Sequence, residues 1–195
     1  NKAGELVSST NSIRRKKLQQ NIINMENILS AEIIENPWPH AVIDNVFNLN
    51  LSNADANGTI LIWMNNIHDI FYNNIENILN KYRSDRGGYN EKNKDKYYID
   101  WGLQVQPNSG KSDIHIDDGR KLWSFVVYLF PKKSNGTGMY DKDKNLLQEI
   151  EWKQNRGFVF CSRGGEISPT WHAYGNSFDE HRITLAVFIC MENVK

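Results

Sequence analysis

The sequence predicts an α+β protein, mainly β: a double-stranded β-helix, or jelly roll, with supporting helices in its N-terminal part. Two observations carry this. From Tyr97 onward, short β-branched and aromatic runs alternate with clusters of Gly, Pro, Asn and Asp, the pattern of a sandwich or barrel of short strands. Before Tyr97, apolar residues recur instead at helical spacing. With 195 residues the chain is expected to form a single domain, 1–195, in which 1–96 is the helical support and 97–195 the β core.

The elements follow in order. From Ile13 to Asn36, the positions Leu18, Ile22, Met25, Leu29 and Ile33 form one apolar helical face. Pro37 and Pro39 end that helix, because proline lacks the amide donor and pushes its predecessor toward extended geometry. The tetrapeptide "AVID", 41–44, reads as a short lead-in strand, and "SNADANG" as a loop or capping region. A second long helix is expected from Ile60 to Tyr82, where Trp63, Ile67, Ile70, Phe71, Ile75, Ile78 and Leu79 repeat with helical period. Residues 83–96, "RSDRGGYNEKNKDK", read as an exposed, mobile loop and a candidate substrate lid. Eight strand candidates then follow: "YYIDWGLQVQ", "SDIHID", "LWSFVVYLF", "GTGMYD", "LQEIEW", "GFVFCS", "PTWHAY" and "HRITLAVFI". Gly136 and Gly138 read as turn residues, since no helix follows them to make a phosphate cradle.

Composition narrows the function classes. Hydrophobic residues at 39%, aromatics at 11% and charged residues at 24% describe a globular chain with a substantial core. Lys plus Arg, 23, balances Asp plus Glu, 23, so no overall field favours nucleic acid or an anionic membrane. The one dense basic run, Arg14 to Lys17, reads as a solvated helix turn. Cys161 and Cys190 lie in apolar strand-like runs without metal-ligand spacing, as small buried hydrophobes of a reducing compartment. No apolar run reaches the ~20 residues of a membrane span, and no signal peptide is evident, so a cytoplasmic location is expected.

The chemistry concentrates around "SDIHIDDGRK". His115 and Asp117 are two residues apart, so in an extended segment both side chains point to one face and can share one ion. A third ligand is needed, and His172 in "TWHAY" and His181 in "EHRITL" are the candidates. Two histidines and a carboxylate on one face of a metal form the facial triad of non-haem Fe(II) oxygenases, whose remaining positions stay open for reactants. Arg182 with Thr184 on the same strand face makes a carboxylate receptor, a charged donor fork backed by a hydroxyl. His181 must point away from that face, which favours His172. His40 and His68 read as structural, and Asp118 as a turn or surface residue.

The ordered pattern of His-x-Asp, a Gly-Arg turn, a Tyr-Leu strand end, Gly-x-Gly, Trp-His and Arg-x-Thr resembles the 2-oxoglutarate and Fe(II)-dependent dioxygenase superfamily, in its prolyl 4-hydroxylase-like branch. The resemblance runs from "WGLQVQP" to "AVFIC", and "NPWPHAVIDNVF" is similar to the lead-in strand of such proteins. It implies a cupin-like double-stranded β-helix in which His115, Asp117 and His172 bind iron and Arg182 pairs with the distal carboxylate of 2-oxoglutarate. Tyr128 falls where that branch has a tyrosine bonded to the same carboxylate, and Thr184 would second it. Gln106 stands where the branch often has a cosubstrate-binding tyrosine, and Phe130 where it often has an asparagine.

The implied reaction hydroxylates a substrate C–H bond using dioxygen and 2-oxoglutarate, releasing succinate and carbon dioxide. A protein prolyl or other side chain is the candidate prime substrate. Two alternatives stay open at this point: a jelly-roll module that binds metal without turnover, and oxidation of a small molecule or nucleobase. For Trp101, Trp123 and Trp171 packing roles are expected, with a place lining the substrate pocket as the alternative for Trp171 and Trp101.

Overall fold

The computed structural model describes residues 22–48, 66–107, 112–162, 170–174 and 181–192. Among these residues, three short α-helices precede or flank eight strands. Helix α1 spans Met25–Ser30, opened by the Asn24 side chain, which accepts from the amide of Asn27 at 3.2 Å. Strand β1 is His40–Ile43; helices α2 and α3 are Ile67–Tyr72 and Ile75–Tyr82. The strands continue with β2 Tyr97–Gln106, β3 Lys121–Phe130, β4 Thr137–Tyr140, β5 Leu146–Ile150, β6 Gly157–Phe160, β7 Trp171–Tyr174 and β8 Arg182–Met191.

Both long predicted helices come out shorter. Of the first, residues 13–21 lie outside the described set, and the helix ends at Ser30 rather than Asn36 because Ala31 turns extended. Ile34 then exchanges both backbone hydrogen bonds with His40, 2.8 and 3.0 Å, so pairing with the lead-in strand competes successfully with helical spacing. Of the second, 60–65 and with them Trp63 lie outside the described residues, and the rest is broken at Asn73 and Asn74. Asn74 folds its side-chain amide back onto the carbonyl of Ile70 at 2.8 Å, an asparagine offering the backbone an alternative to the helix ladder. The apolar face survives the break: Ile67, Phe71, Ile75, Ile78 and Leu79 are all buried.

The segment 83–96, expected as a mobile loop, is wound into two 3-10 turns, Ser84–Arg86 and Glu91–Lys96. Local ties hold it, since the amide of Tyr89 donates to the Asn80 side chain and that of Asn90 to the Tyr97 hydroxyl.

The strands form two antiparallel sheets. One has the order β1-β6-β3-β8-β2 and the other β5-β4-β7. "SDIHID", predicted as a full strand, reduces to one bridge, His115 to His172, that extends the smaller sheet beyond β7. Gly136 leads into β4 so close to β5 that an added Cβ would lie 1.7 Å from the carbonyl oxygen of Ile150.

Strand alternation sorts the side chains of the larger sheet onto two faces. Trp123, Phe125, Val127 and Leu129 of β3, with Leu185, Val187 and Ile189 of β8, pack against the helices. Burying such a side chain is worth roughly 1.5–3 kcal/mol, so this layer carries much of the fold. Trp101 joins it from β2, which leaves the packing reading of Trp101 and Trp123 intact. The opposite face looks into the space between the sheets, where Tyr128, Met139, Ile150, Trp152, Phe158 and Phe160 form a second cluster. The polar members of that inner face make the site.

Among the described residues, no helix is long and apolar enough to cross a membrane. Cys161 and Cys190 are free and buried.

Candidate functional site

Register brings the inner-face residues together. Across the β2–β8 ladder Gln106 stands opposite Arg182 and Gln104 opposite Thr184; across β3–β8 Thr184 stands opposite Tyr128. The smaller sheet closes over them, with Thr137 on β4 and His172 and Tyr174 on β7. A cavity of about 130 Å³ lies between, lined by His115, Asp117, His172, Lys121, Arg182 and Thr137 among others.

At one part of this lining, ligand atoms of His115, Asp117 and His172 all lie within 4.8 Å of one another. The bridge between residues 115 and 172 is closed by amide-to-carbonyl bonds of 3.1 and 2.9 Å, and it holds the two imidazoles with ring centres 4.5 Å apart. Each ring is also oriented from behind. Nδ1 of His115 donates to the carbonyl of Asp113 at 2.7 Å, and Nδ1 of His172 to that of Thr170 at 2.8 Å. A carbonyl can only accept, so both protons sit on Nδ1 and both Nε2 lone pairs are left for a metal.

Asp117 is 7% exposed. Its Oδ2 accepts from the Ser124 hydroxyl at 2.6 Å and its Oδ1 from the Lys121 ammonium at 2.9 Å. Burial pushes this carboxyl upward, but the adjacent His172 ring and the donors Ser124 and Lys121 outweigh it, so the group lies below its ordinary value and is ionised at neutral pH. Burial pushes His172 down, against the opposing pull of Asp117, and so keeps it neutral. Two imidazoles that present Nε2 and one carboxylate suit a divalent ion of the iron class, and the three side chains present fit the group the resemblance implies.

Arg182 occupies another part of the cavity wall and is 1% exposed. Its Nη1 donates to Oε1 of Gln106 at 2.8 Å, while its buried Nε has no partner. Aromatic faces surround it: the guanidinium carbon lies 4.8 Å from the ring centre of Tyr174, 5.0 Å from Trp152 and 5.5 Å from Tyr128. Burial pulls its pKa down, and no carboxylate answers it among the described residues. A buried guanidinium without a counter-ion suits an anionic ligand.

The remaining predicted residues stand around this cation. Gln106 is buried and holds Arg182. Thr184 is buried and donates to Gln104 at 3.5 Å. The Tyr128 hydroxyl donates to Thr137 at 2.8 Å and its ring stacks on Trp152 at 4.5 Å, so in this arrangement Tyr128 backs the wall, and Thr137 faces the cavity in its place. Burial raises the Tyr128 hydroxyl to about 12. His181 is exposed, and Asp118 is an exposed turn residue paired with Arg120 at 2.9 Å. His40 is buried with Nδ1 on the carbonyl of Trp38, and His68 lies with Nδ1 3.2 Å from Oδ1 of Asp69, both apart from the cavity.

Sequence reasoning missed Lys121, Ser124 and Thr137. The Lys121 ammonium pairs with Asp117 at 2.9 Å. The signal for Ser124 was available, since period-2 alternation puts residues 124, 126 and 128 on one face of β3.

No protein-family model matches the sequence, and no curated protein sequence matches it. Solved structures do. The alignment to a prolyl 4-hydroxylase from Phytophthora capsici covers 90% of this chain and 65% of that one, at 14% identity and a TM-score of 0.50. The chain shares the prolyl 4-hydroxylase fold. A Pseudomonas putida prolyl-4-hydroxylase aligns over 91% of this chain and 93% of its own, at 12% identity and a TM-score of 0.49. A Burkholderia pseudomallei oxidoreductase of the 2OG-Fe(II) oxygenase family aligns over 50% of this chain and 47% of its own, at 13% identity and a TM-score of 0.41. The mainly β architecture expected from the sequence is thus the architecture observed, as two antiparallel sheets.

Proposed function

We propose that the chain is an Fe(II)- and 2-oxoglutarate-dependent dioxygenase that hydroxylates a substrate C–H bond, with release of succinate and carbon dioxide. One observation carries the proposal: the His115, Asp117 and His172 cluster and the unanswered guanidinium of Arg182 line the same cavity. Nε2 of His115, the carboxylate of Asp117 and Nε2 of His172 would hold the iron. Iron bound there supplies the oxidative decarboxylation of 2-oxoglutarate that drives hydroxylation.

The chain's own residues bind and orient. Arg182 takes the distal carboxylate of 2-oxoglutarate through the donors that Gln106 leaves free, with Tyr174 and Trp152 fixing the plane of the fork. Thr137, held by Tyr128, and Gln104, which accepts from Thr184, complete the polar wall. Phe160, with its ring 4.6 Å from that of His172, keeps water away from one side of the metal ligands. A protein prolyl or other side chain is the proposed prime substrate.

The reading as a metal-binding module without turnover leaves Arg182 unexplained, since holding a metal needs no buried carboxylate clamp. Nucleobase oxidation has no support from a basic groove, because the net charge is zero.

The test is succinate formation from 2-oxoglutarate with Fe(II) under air, with candidate peptides present. The wild type is expected to turn over, while His115→Ala and Arg182→Ala fall to background. Metal binding by the wild type without any decarboxylation would replace the enzyme reading by the binding-module one.

A further inference from the structure

Asp117 serves two masters in this site. Ser124 occupies one lone pair of Oδ2 at 2.6 Å, and Lys121 one lone pair of Oδ1 at 2.9 Å. A carboxylate has about four acceptor positions, so a divalent ion shared with His115 and His172 can join this arrangement, but its two neighbours then differ in kind. The Ser124 hydroxyl is neutral and its donation to a ligating carboxylate is compatible with a metal. The Lys121 ammonium has the same sign of charge as the ion and pairs with the same small group.

Two further observations describe the lysine. It lines the cavity together with the three candidate ligands. Its Nζ also lies 3.8 Å from the ring centre of Phe188, a second favourable seat for a cation, one that asks nothing of Asp117. Among the described residues, Asp117 is the carboxylate with which Lys121 forms an ion pair.

We infer that Lys121 is a resident cation that competes with the divalent ion for Asp117: it holds the carboxylate in place and sets an upper limit on metal affinity. The inference rests on the reading of His115, Asp117 and His172 as metal ligands. Lys121 is on this account a positioning residue, acting on the metal through Asp117. When the ion takes its share of the carboxylate, the ammonium retires toward the face of Phe188. Removing the positive charge while keeping the stem therefore strengthens metal binding, the reverse of what losing a merely structural contact would do.

The experiment is a titration of the full chain with Mn(II) alone, following the free ion by electron paramagnetic resonance, for the wild type, Lys121→Met, Lys121→Gln, Lys121→Arg and His115→Ala. Both neutral variants keep an unbranched stem, so either can report if the other folds poorly. The expected result is that K121M and K121Q bind Mn(II) about tenfold more tightly than the wild type, as the loss of a close like charge predicts. K121R restores the charge and with it the wild-type affinity, and H115A loses binding. If K121M and K121Q match the wild type or bind more weakly while H115A still loses binding, the competition is overturned and the metal site stands. Tightening by K121R to the same degree would also overturn it, since charge would not be the cause. Should the wild type bind no better than H115A, the metal reading fails and takes this inference with it.

Discussion

Arg182 donates to Gln106 at 2.8 Å across the β2–β8 ladder, and this is its hydrogen bond among the described residues, although the guanidinium is 1% exposed. A buried charge held by one neutral amide and three aromatic rings is a poor way to stabilise a fold. Cation–π contacts return part of the lost hydration, but not what an ion pair would. The arrangement makes physical sense as a site poised for an anion, at some expense to the unliganded protein.

That trade can be measured with Arg182→Met combined with Gln106→Leu, which removes the charge and also the amide that would otherwise be stranded. The double variant is expected to be at least as stable to urea as the wild type, by up to about 1–4 kcal/mol, because replacing buried ionic groups by apolar ones of similar size is often neutral or stabilising. Binding of 2-oxoglutarate in the presence of Mn(II), followed by calorimetry, should vanish in the same protein. A loss of several kcal/mol in stability would instead mark Arg182 as a structural residue.

Ser124 offers a prediction about the other half of the cavity. It is fully buried on β3, and its bond to Oδ2 fixes the rotation of the Asp117 carboxylate. Partners that orient a metal ligand typically account for 10–100-fold in affinity. Ser124→Ala should therefore weaken Mn(II) binding by about that factor while its circular dichroism spectrum is unchanged. Undiminished affinity would mean that Lys121 alone suffices to hold the carboxylate.

What could be read in advance followed physical scale. The strands from β2 to β8 were legible, because alternation and turn residues act over a few positions; β2 was expected at the bounds observed, Tyr97–Gln106. The grouping of His115, Asp117, His172 and Arg182 around one cavity was also legible, from an extended spacing of two and from the shared face of Arg182 and Thr184. Helix ends were not. Asn74 breaks the second helix through one side-chain hydrogen bond, and Ile34 leaves the first for a bridge to His40, a partner brought near only by the fold. Tyr128 shows the same limit inside the site: its position on the inner face follows from alternation, but its bond to Thr137 depends on how the two sheets meet.

A pH dependence is expected from Asp44, which follows β1 and joins it to the turn before β6. Its carboxylate accepts from Arg156 Nε at 2.7 Å and from Lys153 at 2.7 Å. The hydrogen bond from Arg156 is the main reason its pKa is lowered, with burial opposing and Lys153 assisting. A carboxyl depressed in the folded state stabilises above its unfolded value, about 4, and that contribution is lost as pH falls through the lower folded value. The wild type should thus exceed Asp44→Asn in urea stability at pH 7, and the gap should close on acidification below about pH 4. The group is partly exposed, so the gap is expected to be modest and to shrink with added salt. A gap independent of pH would assign the effect to packing.

Adjacent aspartates give the sharpest contrast. Asp117 and Asp118 are neighbours in sequence, yet the first is buried against His172, Ser124 and Lys121, and the second is exposed, its carboxylate closing a turn with the amide and guanidinium of Arg120. The hydrogen bonds from the Arg120 side chain, then its amide, lower Asp118 to about 2, but an exposed pair of this kind contributes little to stability. Asp118→Asn keeps the acceptor oxygen needed for the turn, so Mn(II) affinity and succinate formation should remain within about twofold of the wild type. Asp117→Asn removes the anionic ligand while keeping the shape of the side chain, and both readouts should fall to the level of His115→Ala. If the two substitutions had comparable effects, the assignment of one carboxylate to the metal and the other to the turn would be wrong.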